Sequence, residues 1–168
     1  MQSLLDTHQH LLYTKKATYN WTKDIPALAE NDFTVDDYNS LTKEHGVAGS
    51  LFMEVDASDY KEETRFIKNI SEDSKNNIKG LIVSIRPESE DEFDSWLNES
   101  TSMGVVGYRR ILHVMPDDTS QAQTFRDNVK KIGKEGMPYD LCYHAGQLKI
   151  AYELSKYCDE MDLVLNHC

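Results

Sequence analysis

Along the chain, short runs of apolar and β-branched residues alternate with longer charged segments whose apolar positions recur at helical spacing. Six short runs predict strands, over residues 3–6, 48–55, 80–85, 105–112, 139–143 and 162–165. Between them, residues 35–45, 60–73, 88–101, 119–135 and 147–158 predict helices. Phe66, Ile67 and Ile70, and again Phe125, Val129 and Ile132, have the one-face spacing of a helix lying on a sheet. Thr34 stands before Val35, Asp36 and Asp37 as an N-cap, with carboxylates in the first turn to complement the helix dipole. Gly46 follows the first helix, and Gly104 and Gly136 precede later strands, where chains turn out of helices.

Strand and helix in unbroken alternation predict parallel βαβ units with right-handed crossovers. Periodicity alone leaves two architectures open, an open doubly wound sheet or the first three quarters of a closed barrel. The phosphate loops GxGxxG and GxxxxGK[ST] are absent, so a nucleotide site has no support. No repeat or Pro/Gly-rich linker interrupts the pattern, so one continuous domain over residues 1–168 is expected.

Charge narrows the range of partners. With 18 basic and 29 acidic side chains the chain carries a formal charge of −11, which argues against nucleic acid and against anionic membrane surfaces. Three cysteines, Cys142, Cys158 and Cys168, form no CxxC pair, so neither a disulfide framework nor a zinc finger is expected. The first ten residues lack a basic segment leading into an apolar one, and no apolar run is long enough for a membrane span; a cytoplasmic setting is expected. At 168 residues the chain is also well short of the roughly 250 that a closed eight-unit barrel takes.

The sharpest chemical signal is Asp6-Thr7-His8-Gln9-His10, after the first strand run. In extended backbone alternate residues point the same way, so His8 and His10 can offer two imidazoles to one point. Neutral imidazoles suit Zn²⁺ and similar ions. His113, His144 and His167 each follow a different strand run, so five of the six histidines fall at the carboxyl ends of strands, where α/β proteins build their sites. Arg109 and Arg110 are adjacent on a strand, so one guanidinium faces the interior or rim and the other is expected to meet an acidic surface group. Glu54 closes the second strand run and either reaches the rim or ties down a loop, while Trp21 lies in the loop after the histidines, where it could line a pocket. Cys142 reads as a small core residue rather than a nucleophile.

The order of these blocks carries a resemblance. Asp6-Thr7-His8-Gln9-His10 is followed by Tyr19-Asn20-Trp21, Phe33-Thr34-Val35-Asp36-Asp37, Phe52-Met53-Glu54-Val55 and Glu62-Glu63-Thr64-Arg65-Phe66. Then come the run 107–118 around Arg109, Arg110 and His113, Tyr139-Asp140-Leu141-Cys142, Gln147-Leu148, and Val164-Leu165-Asn166-His167-Cys168. In this succession the chain resembles, end to end, the metal-dependent hydrolases of the amidohydrolase superfamily, in the group related to L-fuconolactonase and the dicarboxylate lactonases.

The resemblance implies an incomplete (β/α)8 TIM barrel of about six of the eight βα units, with a site at the carboxyl rim that hydrolyses a lactone or similar cyclic ester. It makes His8, His10 and His167 the expected ligands of a divalent metal, zinc first. Arg109 and Arg110 match the fourth-strand rim motif and, with Glu54 and Trp21, are the expected substrate contacts. His113 belongs to the same motif, and with His144 it is a candidate catalytic imidazole. There are departures: Asn166 stands where the family carries Asp, and His144 matches no family ligand. Family members also continue past His167 into two more strands, the last carrying the Asp expected as general base. The 168-residue chain is therefore expected to be weakly active and, with its first and sixth strands open, to associate. The alternative is a non-catalytic binding or assembly module completed by another chain.

Overall fold

In a computed structural model, which describes residues 3–166, strands and helices alternate along the whole chain. The elements are β1 (Leu4–Gln9), α1 (Val35–Thr42), β2 (Val47–Met53), α2 (Tyr60–Ser71), β3 (Ile78–Ser84), α3 (Phe93–Ser102), β4 (Gly107–Ile111), α4 (Gln123–Lys134), β5 (Tyr139–Cys142), α5 (Leu148–Tyr157) and β6 (Leu163–Leu165). All eleven expected elements form, with shifted ends. The first strand runs three residues further than its apolar pattern, so His8 stands on β1 itself and His10 just beyond it. The third helix begins at Phe93 rather than at residue 88, because the charged stretch before Phe93 offers no apolar stripe to pack.

Local chemistry explains several boundaries. At the head of α1 the Thr34 side chain accepts from the Asp37 N–H while the Asp37 carboxylate accepts from the Thr34 N–H, a reciprocal cap that satisfies two orphan donors. After α1 the chain turns through Gly46 at φ 72°, in the left-handed region that glycine enters without cost, and the Gly46 carbonyl accepts the Leu4 N–H.

The chain divides after Ser84 into two compact units. In the first, β1, β2 and β3 are parallel neighbours in chain order, with Leu5 opposite Gly49 and Phe52 opposite Leu81. The β1–β2 register is irregular between Asp6 and Gln9. In the second, β4, β5 and β6 are parallel, pairing Tyr108 with Tyr139, Arg109 with Asp140, and Asp140 with Val164. Within the second unit, Ile85 donates its N–H to the Arg109 carbonyl. The strands follow one another in chain order, as in a barrel, and the doubly wound alternative falls away. The fold is an incomplete α/β barrel.

The two faces of the second unit's strands are told apart by their contacts. The Tyr108 hydroxyl meets Ser100 Oγ at 2.8 Å and Thr101 Oγ1 at 2.9 Å, both at the end of α3. Tyr139 packs edge-on against Phe125 of α4. Tyr108 and Tyr139 thus face the helices, where Phe125, Val129 and Ile132 are fully buried. Each such side chain contributes about 1.5–3 kcal/mol of burial. Arg109 and Asp140, one residue on, occupy the opposite face.

Candidate functional site

In the first unit, His8 and His10 end β1 as an edge-to-face pair with ring centroids 4.9 Å apart. The preceding Asp6 is committed to shaping this end of the strand: one oxygen accepts the His8 N–H and the other the Tyr38 hydroxyl, at 2.6 Å. Burial and the bond to Asp6 raise the Tyr38 phenol above its ordinary pKa. His10 Nδ1 lies 2.9 Å from the Met53 carbonyl at the end of β2. A carbonyl can only accept, so Nδ1 carries the proton and Nε2 is the acceptor nitrogen of the neutral ring.

Two imidazoles bound to one tetrahedral zinc through bonds of about 2.1 Å bring their ring centres about 5 Å apart, close to the separation of this pair. Among the described residues no group of three or more His, Cys, Asp or Glu is placed to hold a metal. His167, the expected third ligand, lies outside the described residues.

Around the end of β2, Glu54 is 1% exposed and its Oε2 accepts the Asp56 N–H at 2.8 Å, closing a turn in which Asp56 has φ 55°. The Trp21 indole donates to the Val55 carbonyl at 2.7 Å, with its ring partly exposed. Both side chains therefore hold loop backbone. Glu63, on the inner face of α2, is a residue to which its block of the sequence resemblance assigns no role. It is 1% exposed, and both its oxygens are buried without a hydrogen-bond partner among the described residues. Burial, and then the neighbouring Glu54 carboxylate, push it up to about 8.

In the second unit, Arg109 and Arg110 project to opposite faces. Arg110, on the helix side, is paired with Glu88 through Nε at 2.9 Å and Nη2 at 2.8 Å, and rests Nη2 on the Met115 sulfur. Beside this pair an open cleft of about 730 Å³ is lined by Glu88, Glu90, Met115 and Asp118. Its acidic walls suit a cation or hydroxyl groups better than a carboxylate. Arg109 is 2% exposed, and its Nη1 reaches Asn166 Oδ1 at 3.4 Å. Asn166 Nδ2 in turn donates to Asp140 Oδ2 at 2.9 Å. The Asn166 amide therefore joins a guanidinium to a carboxylate, accepting from one and donating to the other. The feature of the sequence that marks this network is Asp140, an acid inside the apolar run of β5.

His113 is exposed, with Nδ1 3.5 Å from the Sγ of buried Cys142; strand register, rather than spacing along β5, brings these two together. The exposed His144 caps the 3-10 turn at Ala145–Gln147, its Nδ1 accepting the Gly146 N–H while the Gln147 side chain accepts the His144 N–H. Buried Gln147 also donates to Asp117 Oδ1 at 2.8 Å, tying the loop after β5 to the loop after β4.

The fold has counterparts among solved structures. An amidohydrolase from Burkholderia multivorans with bound zinc superposes at a TM-score of 0.81, with 16% identity over 98% of this chain and 57% of its own. A probable 2-pyrone-4,6-dicarboxylic acid hydrolase from Acinetobacter baumannii, with citric acid bound, gives a TM-score of 0.73 and 16% identity over 99% and 58%. A 2,6-dihydroxybenzoate decarboxylase from Rhizobium gives 0.60 and 13% over 98% and 66%. The chain spans less than two thirds of the length of each, and at these identities the likeness is one of fold. No protein-family model matches the sequence, and no curated protein does.

Proposed function

We propose that this chain forms part of a metal-assisted hydrolase of the amidohydrolase type whose substrate is a lactone, a cyclic ester of a sugar acid or dicarboxylic acid. The observation that carries the reading is the His8–His10 pair, which ends a barrel strand with one imidazole oriented by the Met53 carbonyl. His8 and His10, with His167 after β6, would hold the ion. A divalent cation bound there supplies Lewis acidity toward an ester carbonyl and a water of lowered pKa.

The chain's own residues supply the rest. Met53 fixes the tautomer of His10, so that Nε2 faces its ligand unprotonated. Asp6 holds the backbone of His8. Arg109, oriented by Asn166, is the group best suited to a carboxylate, because its planar fork donates in two parallel bonds. The bound zinc of the Burkholderia protein and the probable 2-pyrone-4,6-dicarboxylic acid hydrolase activity of the Acinetobacter protein support metal and lactone respectively.

The test is zinc binding followed by lactone turnover. Zinc is expected to raise the melting temperature of the 168-residue chain, and His8→Ala or His10→Ala to abolish the rise. Hydrolysis of 2-pyrone-4,6-dicarboxylate and of aldonolactones, followed by acid release, is expected to be slow and to vanish in the same variants. Equal zinc stabilisation in wild type and both variants would sink the proposal, as would decarboxylation of an aromatic acid in place of ester hydrolysis.

A further inference from the structure

The first unit contains a device that the proposed chemistry does not use. The loop between β1 and α1 turns back onto the loop between β2 and α2, and the two are stitched along residues 17–22 and 55–59. Ser58 N–H donates to the Thr18 carbonyl at 2.8 Å, and Thr18 N–H to Asp59 Oδ1 at 2.9 Å. Asn20 Nδ2 donates to Ser58 Oγ at 2.6 Å, and the Trp21 indole to the Val55 carbonyl. Beneath these bonds Leu12, Ala17, Tyr19, Val55 and Ala57 form a small apolar cluster of their own.

Glu63 lies buried against this seam. The groups facing it are Tyr19 from the first loop, Glu54 from the end of β2, and Asp59 from the head of α2. The Tyr19 hydroxyl receives the Tyr13 N–H at 3.5 Å, which leaves its own proton directed elsewhere. The Tyr19 phenol and the Val55 amide lie alongside Glu63 and favour its ionised form, yet neither makes a bond of ordinary geometry to either oxygen. A second carboxylate charge beside Glu54, shut away from water, is strongly disfavoured.

We propose that Glu63 is a proton-operated latch: while its carboxyl is protonated the 17–22 segment stays seated on the 55–59 turn, and loss of that proton to water unseats it. Opening admits water to the new carboxylate, and that hydration outweighs the loss of the Tyr19 hydroxyl beside it, so the charged form is favoured when the seam is parted. The neutral form dominates up to about pH 8, above which the closed seam holds two adjacent charges. The segment begins seven residues after His10 of the histidine pair. The latch operates whatever reaction that pair performs, and its test needs no substrate.

Hydrogen exchange of the Thr18 and Ser58 amides and of the Trp21 indole N–H is measured in the 168-residue chain from pH 5.5 to 9, corrected for the intrinsic pH dependence of exchange. One proton released per opening makes protection fall by up to tenfold per pH unit, levelling off near pH 8. Glu63→Gln, which is always neutral, is expected to hold protection constant. Glu54→Gln removes one of the groups that keep the proton on and is expected to move the midpoint to lower pH. Flat protection in the wild type, or an unchanged slope in Glu63→Gln, overturns the latch. So does an equal loss of protection in β3, which would mean that the whole unit opens. If Glu63→Gln does not fold, the Glu54→Gln midpoint decides, and an unmoved midpoint overturns the proposal.

Discussion

At the residue scale, the polar groups buried in the sheet come as matched sets, and each set explains a choice of side chain. Asn166 accepts from Arg109 through its oxygen and donates to Asp140 through its nitrogen, which an amide does at once and a carboxylate does not. An aspartate there would turn a donated hydrogen bond into a contact between two carboxylates. Asn166→Asp is accordingly expected to cost about 1–3 kcal/mol near neutral pH, with the loss shrinking toward pH 4 as one acid takes up a proton. Urea unfolding at the two pH values measures it. The resemblance flagged Asn166 as a departure, and the structure supplies its reason, the carboxylate of Asp140. Glu63 was legible in another way: it lies four residues before Ile67 on α2, so an acid sits on the helix's apolar stripe. Spacing marks such a residue as buried, but says nothing of the Glu54 and Tyr19 that face it.

At the element scale, helix ends and helix faces follow from local pattern. The reciprocal cap at Thr34 joins groups three residues apart, so it forms as soon as α1 does. Thr34→Ala is expected to remove about 1 kcal/mol of stability, seen as a lowered urea midpoint with an unchanged slope. Strand faces are harder to assign. Arg109 and Arg110 must face opposite ways, but which of them meets the helices depends on the pairing of Tyr108 with Tyr139 and on Phe125 beyond it. The pairing of His113 with Cys142 is likewise a matter of register, and no motif announced it. β6 is short, and Val164 and Leu165 remain 45% and 43% exposed. An apolar edge of this kind invites pairing with another strand. The 168-residue chain is expected to self-associate as its concentration rises, and Leu165→Lys to reduce the association, as sedimentation velocity would report.

At the scale of the whole molecule, two sets of carboxyls act in opposite directions on stability. Glu63 is raised to about 8 by burial and by Glu54, so its contribution is intact below the ordinary carboxylate range and is lost as pH climbs to about 8. Asp32, Asp37 and Asp127 are lowered, chiefly by hydrogen bonds from the side chains of Thr14, Thr34 and Tyr157, so their contributions are present above the ordinary range and are lost as pH falls. Stability is therefore expected to peak at about pH 5 and to decline toward pH 8. Glu63→Gln should flatten the alkaline side and leave the acid side unchanged, as melting temperatures across the range would show.

The sequence by itself determined what nearest neighbours decide: the succession of strands and helices, the cap at Thr34, the turn at Gly46, and two histidines spaced to share a face. Those features rest on interactions within a few residues, and their energetics are the same wherever the segment is placed. Tertiary structure alone decided the partners of the charged groups. Arg109 and Asn166 are 57 residues apart, and Asp140 and Asn166 are 26 apart. Contacts at that separation exist only once strand order and register are set, and a shift of one residue would turn every one of those side chains to the other face.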